Sequence, residues 1–143
     1  MTYRKAVFIV VYLKIKEKIY YLILKRKLHW KGWEFAKGGL RKEEKILDAV
    51  KREVKEETGL CAIQIKKFNV SGKYKYDKRF KDREGVLGQT YSLYSAKINK
   101  EKIKLDKLEH SDYKWVVFKE AIKKLKWPNQ RKCLNVVNDY LLK

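Results

Sequence analysis

Two runs of β-branched and aromatic residues open the chain, residues 6–13 and 19–24, with the polar residues 14–18 between them; together they predict a β-hairpin. Residues 30–35 read as a further short strand that ends at Lys37-Gly38-Gly39. From residue 43 to 58 the period changes. Ile46, Ala49, Val50 and Val54 recur at steps of three and four, which predicts a helix with one apolar face, and Gly59 supplies a left-handed stop. Residues 61–70 and 86–98 read as strands, separated by the polar, aromatic-spotted residues 71–85, and residues 113–118 as the last strand. A short helix over 119–125 follows. Pro128 suits the first turn of a final helix to Leu142, in which Cys133, Leu134, Val137 and Leu141 share a face. Strands around one central helix, with helices at the C-terminal end, imply an α/β layered domain with a mixed sheet between helices. No repeat or Pro/Gly-rich linker divides the chain, so residues 1–143 read as one domain.

Composition adjusts this picture little and charge adjusts it more. Hydrophobic residues make up 45% of the chain and aromatics 13%, which excludes a disordered chain despite 38% charged residues. Thirty-seven basic against 17 acidic side chains leave a formal charge of +20, a field that draws polyanions: phosphorylated nucleotides, RNA or DNA. Lys-rich usage of the source, or life at high temperature, would give the same balance. Cys61 and Cys133 both have apolar neighbours and read as buried thiols rather than a disulfide framework, which points to a reducing cytoplasm. The longest apolar run, residues 6–13, is too short to span a bilayer, and residues 1–5 carry no cleavage pattern, so no membrane partner is expected.

The chemistry concentrates in Arg52-Glu53-Val54-Lys55-Glu56-Glu57-Thr58-Gly59. On a helix Glu53, Glu56 and Glu57 stand at i, i+3 and i+4, so three carboxylates converge while Val54 turns to the core. Like charges at this spacing cost an isolated helix ~0.2–0.5 kcal/mol per pair, and the C-terminal end of the helix dipole disfavours them further. A solvated acidic face paired with Lys51, Arg52 and Lys55 is the competing reading. A hard divalent cation, Mg²⁺ or Mn²⁺, would explain the concentration of acid by taking carboxylate and carbonyl oxygens.

The wider spacing decides between them. Gly38, Glu44, Arg52, Glu53, Val54, Glu56, Glu57, Gly59 and Leu60 resemble the Nudix hydrolase signature at every position, over residues 38–60. A chance match is on the order of 10⁻⁹ per starting position at ordinary residue frequencies. The resemblance implies a Nudix-type α/β/α domain and hydrolysis of a phosphoanhydride in a nucleoside diphosphate-linked substrate by water. It implies that Glu53, Glu56, Glu57 and the Gly38 carbonyl hold the metal, that Glu53 or Glu57 acts catalytically, and that Glu44 and Arg52 brace loop against helix.

Outside the signature the resemblance narrows to one subgroup. Trp33-Glu34-Phe35-Ala36-Lys37-Gly38 is similar to the lead-in of dinucleoside tetraphosphate hydrolases and RNA 5′-pyrophosphohydrolases, with Ala36 where those have proline. Leu108-Glu109-His110-Ser111-Asp112-Tyr113-Lys114-Trp115 resembles a later segment of the same subgroup, which makes Glu109 a further catalytic and metal-binding candidate. His110 reads as local structure and Trp115 as core. Lys37 is a candidate phosphate contact against the reading of one more surface lysine. Tyr76, Lys78 and Arg79, in a stretch that interleaves rings and cations, are candidates for stacking a base and holding phosphates. Gln89, in Gly88-Gln89, is a substrate candidate by the same resemblance.

The leading functional reading is therefore hydrolysis of a dinucleoside polyphosphate such as diadenosine tetraphosphate. Removal of pyrophosphate from an RNA 5′ end and hydrolysis of nucleoside triphosphates are the enzymatic alternatives. A non-catalytic nucleic-acid-binding module on the same fold would carry eroded signature carboxylates, and none is missing.

Overall fold

The computed structural model describes residues 2–76 and 80–143. A mixed sheet runs in the order β3-β2-β1-β6-β5, with β4 also paired to β1 and β7 to β2. Strand β1 (Thr2–Ile15) is its axis. One edge pairs in parallel with β6 (Val86–Lys97) along nearly its whole length, and β6 in turn pairs antiparallel with β5 (Gln64–Lys75). Along the other edge β1 meets two partners in succession. Residues Tyr12 to Ile15 pair with β2 (Lys18–Arg26), closing the expected hairpin, while Ala6 to Ile9 pair with β4 (Ala36–Gly39). Strand β2 diverges from β1 beyond this hairpin, and Leu24 to Arg26 pair with β3 (Gly32–Glu34) on one side and β7 (His110–Val116) on the other. The hairpin is thus a fork, and β3 and β4 fill it.

Both faces of the sheet are covered, as alternation along β1 requires. Val7, Ile9 and Val11 join Val50 and Val54 of α1 (Ile46–Thr58) in one core, with Leu22, Leu24, Tyr94 and Ile98. Phe8, Val10 and Tyr12 point the other way, to Ala121 of α2 (Phe118–Lys124) and to Cys133, Leu134 and Val137 of α3 (Pro128–Leu141). Residues apolar on both faces are expected of a central strand between helical layers. The Tyr21 hydroxyl, buried in the second core, donates to Asn138 Oδ1 of α3 at 2.7 Å.

The structure departs from the sequence expectations at four places. Residues 30–35 are not one strand: β3 ends at Glu34, β4 begins at Ala36, and between them the Phe35 N–H leaves the ladder to donate to Gln130 Oε1 of α3 at 3.0 Å. Helix α1 begins at Ile46 rather than at residue 43, because Glu43 takes a positive φ of 63° and Glu44 folds its carboxylate back onto the Arg41 N–H. Ile46, expected in the apolar face, is 39% exposed. Strand β5 starts three residues late and runs to Lys75, into the stretch expected to be a polar connection; Cys61, before it, is exposed, not buried. The last strand begins at His110 rather than Tyr113 and ends at Val116. No helix among the described residues is long and apolar enough to cross a membrane.

The fully buried Leu134 anchors α3 on the sheet. Leu134→Ala should lower stability by ~2–5 kcal/mol in urea denaturation, whereas Leu142→Ala, at a residue 69% exposed, should change it by less than ~0.5 kcal/mol.

Candidate active site

The end of β4 and the last turns of α1 form one wall of the site. Gly38 has no side chain where Glu53 lies, and a Cβ there would overlap the Glu53 carboxylate. Arg52 fixes the approach. Its guanidinium donates to the Gly39 carbonyl at 2.9 Å, to both Glu44 oxygens at 2.8 Å and to Glu53 Oε1 at 2.6 Å, tying loop, helix and strand together. These bonds and the Arg41 N–H hold the Glu44 carboxyl down at about 2. The signature carboxylates meet different surroundings. Glu56 is exposed and accepts from Arg41 and Arg52. Glu53 is buried, and burial, with Glu56 and Glu109 adding repulsion, raises it to about 7 against the pull of Arg52. Glu57 is 1% exposed; Oε2 accepts from the Lys37 N–H at 3.1 Å, while Oε1 is buried without a partner. Burial, then the charges of Glu53, Glu109 and Glu34, raise its carboxyl well above the ordinary range.

The opposite wall is organised by Glu34, a residue to which the sequence reading gave no role. Its carboxylate is fully buried in the fork. Oε2 meets Arg26 Nη1 at 3.2 Å and His110 Nε2 at 2.9 Å, and Oε1 meets the Trp30 Nε1–H at 3.2 Å and Lys37 Nζ at 3.4 Å. Burial alone would raise this carboxyl; Lys37, His110 and Arg26 outweigh it and hold Glu34 at about 2. Lys37 is itself buried, which lowers its amine to about 8 even beside Glu34. The same Arg26 Nη1 lies 3.6 Å from Glu109 Oε2, so it bridges the two acids.

A cavity of about 410 Å³ opens beside this wall. Phe8, Trp30, Lys37, Tyr74, Tyr76 and Trp127 are among its lining residues. Lys37 Nζ lies 4.1 Å from the centre of the Trp30 ring, close enough for a cation–π contact. Phe8 and Tyr91 stack at 4.1 Å, within 3° of parallel. The pocket therefore offers several ring faces together with the ammonium groups of the buried Lys37 and of Lys73 and Lys75.

The predicted residues sort accordingly. Lys37 is inside the site, buried rather than a surface lysine, and Tyr76 lines the cavity. Gln89 is buried beneath it and donates to the Tyr74 hydroxyl. Lys78 and Arg79 lie outside the described residues. Glu57, Glu109 and His110 form a group whose ligand atoms all lie within 4.8 Å of one another. His110, expected to be local structure, bonds Glu34 through Nε2, and its Nδ1 is buried without a partner. Glu34, Arg26, Trp30 and Trp127 were missed. The one available signal was a carboxylate between Trp33 and Phe35, since an acid in an apolar strand needs a partner.

Carboxylates raised by burial and mutual repulsion, with an orphaned buried oxygen among them, fit a hard divalent cation by donor type. Comparison with known proteins shows the family. A sequence model of the NUDIX domain matches residues 2–136. An RNA pyrophosphohydrolase of a Nitratiruptor species is 36% identical over 94 residues, which is 62% of this chain and 61% of that protein. The match thus spans less than two thirds of the relative's length. In fold, an Ap4A hydrolase of C. elegans in a binary complex superposes with a TM-score of 0.79 at 24% identity, covering 97% of this chain and 98% of that one. The NUDIX domain of Shewanella oneidensis NrtR, complexed with ADP ribose, gives 0.78 at 15% identity over 97% and 88%.

Two outcomes follow from the buried charges. Raised carboxyls in the folded, metal-free protein favour it at low pH, and that contribution is lost as pH rises through the folded value, about 7 for Glu53. Mg²⁺ or Mn²⁺ should therefore raise the melting temperature more at pH 8 than at pH 5.5, where protons compete for the same oxygens; a hundredfold excess over Kd is worth ~2.7 kcal/mol. Glu34→Gln should destabilise the protein by ~3–5 kcal/mol in urea titration, because Lys37 would stay buried without its counter-charge and Arg26 would keep only the more distant Glu109.

Proposed function

This chain belongs to the Nudix family, and we propose that it hydrolyses phosphoanhydride bonds and that its substrate is a dinucleoside polyphosphate, diadenosine tetraphosphate above all. The observation that carries this reading is the aromatic cavity, which adjoins the carboxylate wall through the buried Lys37. A base stacked among Trp30, Tyr74, Tyr76 and Trp127 would leave its phosphates leading past Lys37 toward Glu53, Glu57 and Glu109. The shape shared with an Ap4A hydrolase is in keeping with it.

Glu53, Glu56, Glu57, Glu109 and the Gly38 carbonyl would hold Mg²⁺ or Mn²⁺, which when bound neutralises phosphate charge and lowers the pKa of water. The remaining work belongs to the chain. Lys37, its amine at about 8 and so protonated at neutral pH, places a fixed positive charge beside a bridging or terminal phosphate oxygen. Alternatively to binding metal, Glu53, held by Arg52, would orient the attacking water or take its proton. Tyr76 orients the base, and Gln89 acts through the Tyr74 hydroxyl it holds. Lys78 and Arg79 are proposed as further phosphate contacts.

Removal of pyrophosphate from triphosphorylated RNA is the second reading. The 36% identity with an RNA pyrophosphohydrolase and the +20 charge favour it. A panel of diadenosine tetraphosphate, 5′-triphosphorylated RNA and nucleoside triphosphates with Mg²⁺ and Mn²⁺ separates them by the products released. The dinucleotide should be turned over with the highest kcat/KM; a preference for long RNA that fades with salt would reverse the order. Glu57→Gln should keep the fold by circular dichroism and lose at least ~10²-fold in metal-dependent turnover, and parental turnover would show the metal assignment to be wrong.

A further inference from the structure

His29 has no part in the site as described so far, yet it stands directly behind one wall of the cavity. It lies in the loop between β2 and β3 at φ 71°, a left-handed conformation that a non-glycine residue adopts at a cost. Contacts on three sides of its ring offset that cost. Nε2 meets the two Asp82 oxygens at 2.8 and 3.0 Å, Nδ1 lies 3.2 Å from Arg26 Nη2, and the ring packs on Phe80 with centroids 4.3 Å apart. A guanidinium can only donate, so Nδ1 must accept, and the ring proton sits on Nε2 facing Asp82. Burial, joined by the charges of Arg83 and Arg26, lowers the ring's pKa against the pull of Asp82, which favours the neutral form that both bonds need.

The two ends of this contact belong to different parts of the molecule. On the inner side Arg26 is fixed independently: it donates to the Leu28 carbonyl at 2.8 Å and to Glu34 at 3.2 Å, and it reaches Glu109 at 3.6 Å. On the outer side Asp82, 57% exposed, belongs to the short helical turn Lys81–Arg83 between β5 and β6. The same turn bears Arg83, which donates to the Tyr76 hydroxyl at 2.9 Å. Just before it, Phe80 packs near Trp30 at 6.2 Å and edge-on to Tyr76 at 5.2 Å. Trp30, Tyr76 and Phe80 line the cavity, whereas His29 and Asp82 stand outside it. Two separate pieces of chain thus supply the rings of one wall, and the His29–Asp82 contact joins them from behind.

We propose that His29 is a positioning residue for the base: through Asp82 it fastens the turn Lys81–Arg83 to the loop after β2 and so keeps Trp30, Tyr76 and Phe80 at the spacing that a stacked base needs. This rests on reading the cavity as the site of a base. Rings held in place beforehand lose less freedom on binding than rings the ligand must gather. The acidic wall does not depend on the tie, because Arg26 keeps Leu28, Glu34 and Glu109 when His29 is lost. Loss of the tie therefore weakens the hold on the base and leaves the chemical step in place.

The test reads the ring and the ligand separately. His29 shares the chain with one other histidine, His110, so its ring nitrogens are assigned in ¹⁵N NMR by their loss in His29→Gln. In the ligand-free parent they should report a neutral ring protonated at Nε2; protonation at Nδ1 would overturn the proposal. Calorimetry with AMP in EDTA then measures the hold on a base without metal. Asp82→Ala and His29→Ala should each weaken AMP binding by about threefold to tenfold, the worth of a partly exposed hydrogen bond to a charged group, and the double variant by no more than either alone. His29→Gln, whose amide can accept from Arg26 and donate to Asp82, should recover most of the loss. Inorganic tripolyphosphate, which has no base, should bind every variant within about twofold of the parent. With Mg²⁺ and diadenosine tetraphosphate, Asp82→Ala should raise KM by the same factor as it weakens AMP, with kcat held within about twofold. Parental AMP binding by Asp82→Ala, additive losses in the double variant, or a fall in kcat at unchanged KM would each overturn the positioning role. If His29→Ala does not fold, Asp82→Ala and His29→Gln decide it. A ring protonated at Nε2 in a parent that binds no AMP would leave the tie standing and remove the base site on which its proposed role rests.

Discussion

A carboxylate buried where water cannot reach it must be surrounded by cations and donors, and Glu34 imposes that requirement on the whole site. Its demand is met from β2 by Arg26, from the following loop by Trp30, from β4 by Lys37 and from β7 by His110. Those four residues come from separate stretches of chain, and satisfying one acid brings them to one point. Arg26 reaches on to Glu109, and the Lys37 N–H reaches Glu57, so the arrangement around Glu34 also positions acids proposed for the metal. The fork between β1 and β2 is the space in which this happens.

The second acidic group has the opposite character. Glu53 and Glu57 are buried with too little positive charge, Arg52 reaching Glu53 but not Glu57, and burial, then repulsion, raises both carboxyls. A site with one acid fully neutralised and two left short of charge is built to separate structure from chemistry. The first keeps its geometry across the working pH range. The second stays responsive to a cation or a proton.

Much of this was legible in the sequence, and for identifiable reasons. The carboxylates of α1 could be read because helical spacing is local: i, i+3 and i+4 meet whatever surrounds the helix. The apolar run of residues 6–13 was legible as one arm of a hairpin; its central place follows from its pairing with β4 and β6. Glu34 was not legible in the same way, because its partners lie anywhere from three to 76 positions away and no periodicity links them. The break between β3 and β4 depends on Gln130, 95 positions along the chain, accepting from the Phe35 N–H. Polar residues Ser71 to Lys73 belong to a strand because β6 offers a ladder, a tertiary fact that local composition does not carry.

The adjacent glycines of β4 have a consequence of their own. With side chains missing on both sides, the strand is reduced there to bare backbone, a wall one peptide thick between the Glu53 carboxylate against Gly38 and the Arg4 guanidinium against Gly39. Opposed charges that would collapse into an ion pair if they met directly are kept apart by main chain that neither can displace.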